Sequence, residues 1–169
     1  MLTPRVMCLI FLSVVGLTIG RITFGRDDDT IEVFQLRRVA SNDATAERLP
    51  WLCLGPRPDD LAVESTALLD TSALRSVRVV PTSEWFDLLI SFTDSGRAAF
   101  DEIWVASIGT RRELAWVAEG KVIHAGPPAS RILGTEVRVF ARLTEADAHR
   151  IADRINQRVL ELAPARPAQ

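Results

Sequence analysis

Asp94 and Ser95 are adjacent in the stretch SFTDSGRAAFDEI, and an acid beside a hydroxyl can serve nucleophilic catalysis. A nucleophilic serine needs a base within hydrogen-bond distance, and the histidines of the chain are His124 and His149. His124 falls in a predicted short strand, and His149 falls on a predicted helix beside its apolar stripe. No serine lies in a G-x-S-x-G motif. The pattern instead favours Asp94 or Ser95 as a helix cap, where a side-chain oxygen accepts free backbone N–H groups.

The other polar residues do not form a reactive constellation. Asp94, Asp101 and Glu102 are spaced as helix-start or helix-surface acids and not as a paired-carboxylate site. Cys8 and Cys53 form no C-x-x-C motif, and Cys53 is predicted to be a small buried apolar side chain. The sequence has no phosphate loop, no metal-ligand spacing and no dinucleotide fingerprint. We therefore predict that the protein is not an enzyme and has no catalytic residues, no cofactor and no metal site.

The overall composition is that of an ordinary globular domain. The chain has 169 residues, of which 47% are hydrophobic and 25% are charged. This length suffices for one domain with a sizeable core. The net charge is −2 and the arginines are scattered, so the sequence gives no reason to expect a nucleic-acid partner.

Residues 1–25 differ in composition from the rest of the chain. Arg5 precedes the apolar run VMCLIFLSVVGLTIG, residues 6–20. This run has the length of the apolar region of a signal peptide and is shorter than the ~20 residues of a membrane-spanning helix. We predict a signal peptide or an N-terminal membrane anchor, and hence a periplasmic or inner-membrane-anchored protein that faces the periplasm. A buried helix of a cytosolic core is the alternative.

The remaining chain divides into three predicted segments: an N-terminal strand with loops at 26–60, the main domain at 61–163 and a disordered tail at 164–169. Residues 31–39 alternate apolar and polar side chains, which predicts a strand. Residues 40–50 are predicted to be a loop, and residues 61–80 have a mixed pattern. Within them, TSALRS indicates a short helical turn capped by Thr71 or Ser72, and VRVVP indicates extended chain.

The second half predicts the order strand, helix, strand, strand, strand, helix. Residues 84–92 are rich in strand formers, and the helix after them runs to about Ser107, with Gly109 at its C′ position. ELAWVA and KVIHA form a hairpin with its turn at Glu119–Gly120, and EVRVF is the next strand. Thr144 caps the last helix, whose apolar face comprises Ala148, Ile151, Ala152, Ile155, Val159 and Leu162. This order predicts an α+β fold in which two helices cover one face of an antiparallel sheet.

The segment from Phe92 to Ile155 resembles a known family in its turns and caps. It contains SFTDSGRAAFDEI, then a glycine and a basic residue, the hairpin ELAWVAEGKV, a proline, an I-x-G element, EVRVF and the helix start LTEADA. In this order the elements are similar to the head subdomain of the first periplasmic domain of SecD and SecDF, the bacterial protein-export components. The resemblance gives structural motif roles to Asp94, Ser95, Gly96, Phe100, Gly109, Gly120, Lys121, Pro127, Gly134 and Thr144.

The resemblance implies a ferredoxin-like or SecDF-head-like fold and contact with emerging polypeptide. Two local features depart from the family pattern: Glu119 replaces its hairpin aspartate, and ARL before Thr144 lacks its glycine. The sequence also lacks the multi-helix membrane part that carries the proton-coupling acids of SecD-type proteins. We therefore do not expect this chain to act by itself as a proton-driven export motor.

The expected function is that of a non-enzymatic binding or accessory module on the periplasmic side, which contacts a polypeptide or an envelope protein complex. An apolar groove beside the sheet would supply the affinity through burial. The alternative is a structural or regulatory envelope protein that reuses the fold and has no role in protein export, since a fold does not determine a function.

Overall fold

The computed structural model describes residues 32–41, 45–55, 60–108, 110, 112–127 and 136–163. Within these ranges the chain forms eight strands and two helices. They are β1 (Phe34–Val39), β2 (Glu47–Pro50), β3 (Asp60–Asp70), β4 (Leu74–Pro81), β5 (Phe86–Phe92), α1 (Asp94–Ile108), β6 (Leu114–Ala118), β7 (Lys121–Gly126), β8 (Glu136–Leu143) and α2 (Glu145–Leu162). The predicted leader or anchor, the tail, Gly109 and Gly134 lie outside the described residues. Neither helix in these ranges has the length and apolar character needed to cross a membrane.

The strands form two antiparallel sheets. One has the order β2, β3, β1, β6, β7, and the other has the order β4, β5, β8. The predicted α+β class is confirmed, but the strands are divided between two sheets instead of forming one. The division arises at a 3₁₀ turn, Thr71–Ala73, where the chain leaves β3 and enters β4. Asp70 caps this turn by accepting the Ser72 N–H at 2.9 Å, so the prediction that Thr71 or Ser72 is the cap is wrong.

Two strands were missed by the sequence patterns. Residues 40–50 were predicted to be a loop, yet β2 occupies their last four positions and pairs with β3. β3 itself is 11 residues long and lies in a segment whose pattern is mixed. Its pairing with β1 shifts register twice, so its side chains do not alternate regularly between two faces. Bulges of this kind remove the period-2 signal that identifies a strand.

The five-stranded sheet curls until its two ends meet. Trp51, just after β2, bridges to Val122 on β7, and the Leu52 N–H donates to the Val122 carbonyl at 2.9 Å. The curl encloses a small apolar core, while the other side of the sheet faces the larger core beneath the helices. β6 contributes to both cores: Leu114, Trp116 and Ala118 lie in the larger one, and Ala115 and Val117 lie in the smaller one.

The predicted hairpin between β6 and β7 is confirmed. Its two turn residues, Glu119 and Gly120, have φ values of 50° and 72°. Positive φ at both central positions is the signature of a type I′ turn, which matches the twist of the flanking strands. The Glu119 carboxylate contacts the guanidinium groups of Arg150 and Arg154 on α2, so the turn is also fastened to the last helix.

The start of α1 differs from the prediction in one respect. Thr93, and not Asp94 or Ser95, is the cap, because its Oγ1 accepts the Gly96 N–H at 3.0 Å. The Thr93 N–H and hydroxyl also donate to the Ala73 carbonyl, at 3.0 and 3.2 Å. This docking brings the helix so close to the 3₁₀ turn that a Cβ on Gly96 would lie 2.1 Å from the Ala73 oxygen. Glycine is therefore required there by space.

The last helix packs its apolar face on the three-stranded sheet. Thr144 caps it, since the Thr144 side chain accepts the Asp147 N–H at 3.2 Å. The residues of the predicted apolar face that are buried are Ala148, Ile151, Ala152 and Ile155. Val159 is partly buried against the same core, but Leu162 is exposed. The apolar face thus ends one turn earlier than its spacing suggested.

Candidate functional site

The three-stranded sheet has one face on the core and one face open to solvent. Burial alternates along the whole of β8, where Val137, Val139, Ala141 and Leu143 point into the larger core. We call the opposite side the outer face. Its members are the solvent-side residues of the three strands and of the turn before β5: Arg78, Val80, Trp85, Asp87, Leu89, Ser91, Glu136, Arg138, Phe140 and Arg142.

A buried carboxylate lies at one end of the outer face, near the start of β5. Asp87 is 1% exposed, and its Oδ2 accepts hydrogen bonds from Arg138 Nε at 3.0 Å and Nη2 at 2.9 Å. Its Oδ1 lies 3.4 Å from the backbone nitrogen of Arg142. Burial of a charge is costly unless the charge is paired and hydrogen-bonded, and Asp87 has both compensations. Its position therefore fixes the orientation of Arg138 and the path of β8.

Asp87 lies opposite a bulge in β8. Phe86 pairs with Leu143 and Leu88 pairs with Val139, so the single residue Asp87 faces three residues of β8. Within the bulge, Arg142 has a φ of 49°, a left-handed conformation that is uncommon for a side chain other than glycine or asparagine. The carbonyl of Arg142 accepts the Leu54 N–H at 2.9 Å. The surrounding hydrogen bonds thus hold a strained residue in place.

The guanidinium of Arg142 stacks on Trp85, 4.9 Å from the ring centroid. Trp85 is itself positioned by a tight turn, in which the Thr82 N–H and hydroxyl both donate to the Trp85 carbonyl, at 2.8 and 2.7 Å. The Trp85 N–H in return donates to Thr82 Oγ1 at 3.0 Å. Such a cation–π contact is worth roughly 0.5–1 kcal/mol at an exposed site. Its main effect here is to restrict where the guanidinium lies.

A second stacked pair lies next to the first. The Arg138 guanidinium is 5.4 Å from the ring centroid of Phe140, a residue that is 58% exposed. Phe140 is among the few large apolar side chains that the described residues leave open to solvent. Leu89, which pairs with Arg138 across the strands, adds a half-buried apolar side chain to this area. The outer face therefore combines aromatic, aliphatic and cationic groups.

The far end of the outer face is occupied by an ion pair. The Glu136 carboxylate accepts hydrogen bonds from Arg78 Nη2 at 2.8 Å and from Ser91 Oγ at 2.9 Å. These two donors, Arg78 first, hold the pKa of Glu136 below its ordinary value because they favour the charged form. Arg78 and Arg138 are thus each matched by a carboxylate of the same face.

The edges of this sheet are obstructed at several positions. Asn156 of α2 bonds both backbone groups of Val77 on β4, and the Leu54 N–H binds the carbonyl of Arg142 on β8. His124 Nδ1 lies 3.2 Å from the carbonyl oxygen of Phe140. A peptide that pairs as an additional strand would have to displace these groups. Side-chain contact with the outer face does not require that displacement.

The residues singled out from the sequence serve the fold in the described ranges. Asp94 is exposed and pairs with Arg75 at 3.1 Å, and Ser95 Oγ lies 3.2 Å from Thr93 Oγ1. Phe100 is buried and stacks on Phe92 at a centroid distance of 5.0 Å. Gly96, Gly120 and Thr144 shape turns or helix starts as described above, Lys121 begins β7, and Pro127 follows it. Cys53 is partly buried.

The described residues contain no group of three histidine, cysteine, aspartate or glutamate side chains that could hold a metal ion. Ser95 and Asp94 have the partners given above, and His124 lies against β8. The contacts of these residues therefore support structural roles. Their assignment as a family motif stays a prediction.

Comparison of the fold with solved structures gives matches that include two structures of SecDF. One is a crystal structure of SecDF in a super-membrane-facing form, and the other is a structure of SecDF described as a membrane component that enhances protein export. Each superposes with a TM-score of 0.56 and 20% sequence identity over 74% of this chain. The fold is SecDF-like.

The SecDF-like region is a part of the larger proteins. The chain spans 18% of the first SecDF chain and 62% of the second, which is less than two thirds of either. No family model matches the sequence, and no curated protein matches it either. The likeness in fold confirms the resemblance inferred from the turns and caps between Phe92 and Ile155.

Sequence reasoning missed the outer face of this SecDF-like fold. The signal was present in EVRVFARL, where alternate residues from Glu136 onward are polar or aromatic and the others are apolar. The predicted strand ended at Phe140, so Arg142 was not placed beside Arg138. Asp87 could not have been found in this way, because its partner Arg138 is 51 residues away in the chain.

Proposed function

We propose that this protein is a non-enzymatic binding module that faces the periplasm and contacts a polypeptide or an envelope protein complex through its outer face. The observation that carries the proposal is the exposed cluster of stacked arginines and aromatic rings, with Phe140 58% exposed. Aromatic side chains and arginine are enriched where proteins bind other proteins. The likeness to SecDF, a membrane component that enhances protein export, supports the same reading.

The proposal is tested by site-specific photocrosslinking of the full chain in intact cells. A photoreactive phenylalanine replaces Phe140 on the outer face or, in the matched control, Val105 on α1, which is 72% exposed and lies outside that face. We expect crosslinks to polypeptide from position 140 and few from position 105. Equal or absent crosslinking at the two positions would contradict the proposal.

The crosslinked species also separate the proposal from its alternative. Many crosslinked chains whose number falls when protein synthesis is stopped would support contact with newly exported polypeptide. A single partner that persists after synthesis stops would support a structural or regulatory role in the envelope.

The proposed orientation has its own test. An alkaline phosphatase fusion after Thr30 is expected to be active, because this enzyme folds only outside the cytoplasm. An inactive fusion at this site, together with an active cytoplasmic reporter, would contradict the orientation.

A further inference from the structure

The outer face carries one cation more than its carboxylates neutralise. Arg78 pairs with Glu136 and Arg138 pairs with Asp87. Within the described ranges, the Arg142 guanidinium makes no ion pair, and its contact is the ring of Trp85. The ring lies against the guanidinium and leaves its N–H groups without an acceptor among the described residues. Those groups are donors that match the two oxygens of a carboxylate.

The left-handed backbone conformation of Arg142 also has an energetic cost, and no contact in the core accounts for it. A residue with a φ of 49° would be more stable there as glycine, which adopts positive φ without a steric penalty. Strain of this kind is concentrated at sites of function. The buried Asp87, the Leu54 N–H and the Trp85 turn all hold Arg142 in this conformation.

We infer that Arg142, stacked on Trp85, is an anchor for a carboxylate of an extended polypeptide segment that carries an acidic side chain next to an apolar one. This rests on the proposed binding function and names its preferred ligand. The charge complementarity selects the acidic group, while Phe140 and Leu89 provide the adjoining apolar surface. The ligand lies across the outer face and binds through its side chains, since the neighbouring edges are obstructed at Val77 and at Arg142.

The Arg142 guanidinium contacts Trp85 before any ligand binds, and this contact makes it selective for a carboxylate. An arginine that already lies against an aromatic ring loses less conformational freedom on binding than a free one. The bond is between a cation and an anion, so its strength depends on the charge of the ligand and decreases with salt. A lysine at the same place would keep the charge but lose the planar pair of donors.

The test measures binding of labelled peptides to the purified full chain in detergent micelles by fluorescence anisotropy. The probes are a peptide of alternating glutamate and phenylalanine and its counterparts with glutamine or lysine in place of glutamate. We expect the parent to prefer the glutamate peptide about tenfold, the difference that one charge-assisted hydrogen bond makes. Arg142→Gly and Arg142→Gln should lose this preference, and Arg142→Lys should retain part of it.

Two comparisons distinguish a loss of the glutamate preference from a loss of the folded structure. Arg142→Gly should be at least as resistant to urea as the parent, because it relieves the backbone strain. Arg158→Gln is the matched control: Arg158 lies on α2 and pairs with Glu161 at 3.0 Å, away from the outer face. This variant should keep the full preference for glutamate.

The outcomes separate this inference from the function on which it rests. Peptide binding that persists with equal affinity for the glutamate and glutamine probes would overturn the carboxylate anchor and leave the binding module in place. No binding of any peptide would overturn both. Binding to vesicles of anionic phospholipid that requires Arg142, without any preference among the peptides, would assign the arginine to a membrane surface and overturn the polypeptide ligand.

Discussion

Asn156 on α2 makes two hydrogen bonds of 2.8 Å with the backbone of Val77 on β4, one to its carbonyl and one from its N–H. A side-chain amide has the same donor and acceptor geometry as a peptide group, so Asn156 takes the place that a neighbouring strand would take. β4 is an edge of the three-stranded sheet, and edge strands pair readily with other chains. The helix thus satisfies this part of the edge from within the same molecule.

Replacement of Asn156 by leucine should both weaken and expose the edge. The two backbone groups of Val77 would lose their partners, at a cost of about 1–3 kcal/mol in unfolding free energy. We also expect self-association, because the groups would be available to a second copy. Urea unfolding and light scattering measure the two effects, with Gln157→Leu on the exposed side of α2 as the control. A variant as stable and as monomeric as the control would show that Asn156 has no protective role.

Gly96→Ala should destabilise the domain although alanine favours helices. The added Cβ would lie 2.1 Å from the Ala73 oxygen, so α1 or the 3₁₀ turn would have to move. Such overpacking costs about 1–3 kcal/mol. Ser95→Ala is the neighbouring control and should change stability by less than about 0.5 kcal/mol, because Ser95 is exposed. Equal urea midpoints for the two variants would mean that α1 and the 3₁₀ turn can move apart without loss of stability.

The β6–β7 turn should be sensitive at both of its positions. Gly120→Val places a β-branched residue at a φ of 72° and should destabilise the domain strongly. Glu119→Ala should also destabilise, because Glu119 has a φ of 50° and contacts Arg150. Glu119→Asn separates the two causes, since asparagine tolerates positive φ and removes only the ion pair. If Glu119→Ala is no less stable than Glu119→Asn, the positive φ at this position has no effect on the stability of the variants.

Asp147 should make the stability of the domain depend on pH in the acid range. Arg150 Nη2 donates to its carboxylate at 2.8 Å and Thr144 Oγ1 donates at 2.7 Å, and these bonds lower the pKa of Asp147 from its ordinary value of 3.8. Because the folded-state pKa is the lower one, the stabilisation is complete above the ordinary value and is lost as pH falls through the folded-state pKa.

Urea unfolding of the parent and of Asp147→Asn over a pH series measures this contribution. The difference in unfolding free energy between them should be largest near neutral pH and should narrow below the ordinary pKa of 3.8. A difference that stays constant down to the lowest pH would mean that the carboxylate charge does not contribute.

The parts of the fold that local patterns predict are those whose stabilising contacts are close in sequence. The turn at Glu119–Gly120, the cap at Thr144 and the spacing along α2 are local features, and all of them are present. β3 was not found because its bulges depend on its two partner strands. The cap of α1 was misplaced by one or two residues because Thr93 is selected by its contact with Ala73, 20 residues earlier.

The outer face could not be predicted from the sequence for the same reason. The alternation along β8 could have placed Arg138 and Phe140 on one face, but no local rule predicts that Arg142 adopts positive φ. That conformation depends on the bulge opposite Asp87 and on Leu54, which lies 88 residues before Arg142 in the chain. Local propensity cannot encode a contact of that range.

The central place of β1 determines when the domain can fold. Synthesis proceeds from the N-terminus, so β1 is made before either of its neighbours, β3 and β6. Its register sets Phe34 opposite Ala118, and the middle of the curled sheet therefore stays incomplete until residue 118 has emerged. The larger core closes later still, when Ile151 and Ile155 of α2 arrive. Since long-range pairing slows folding, the larger core cannot close before residue 155 has been synthesised.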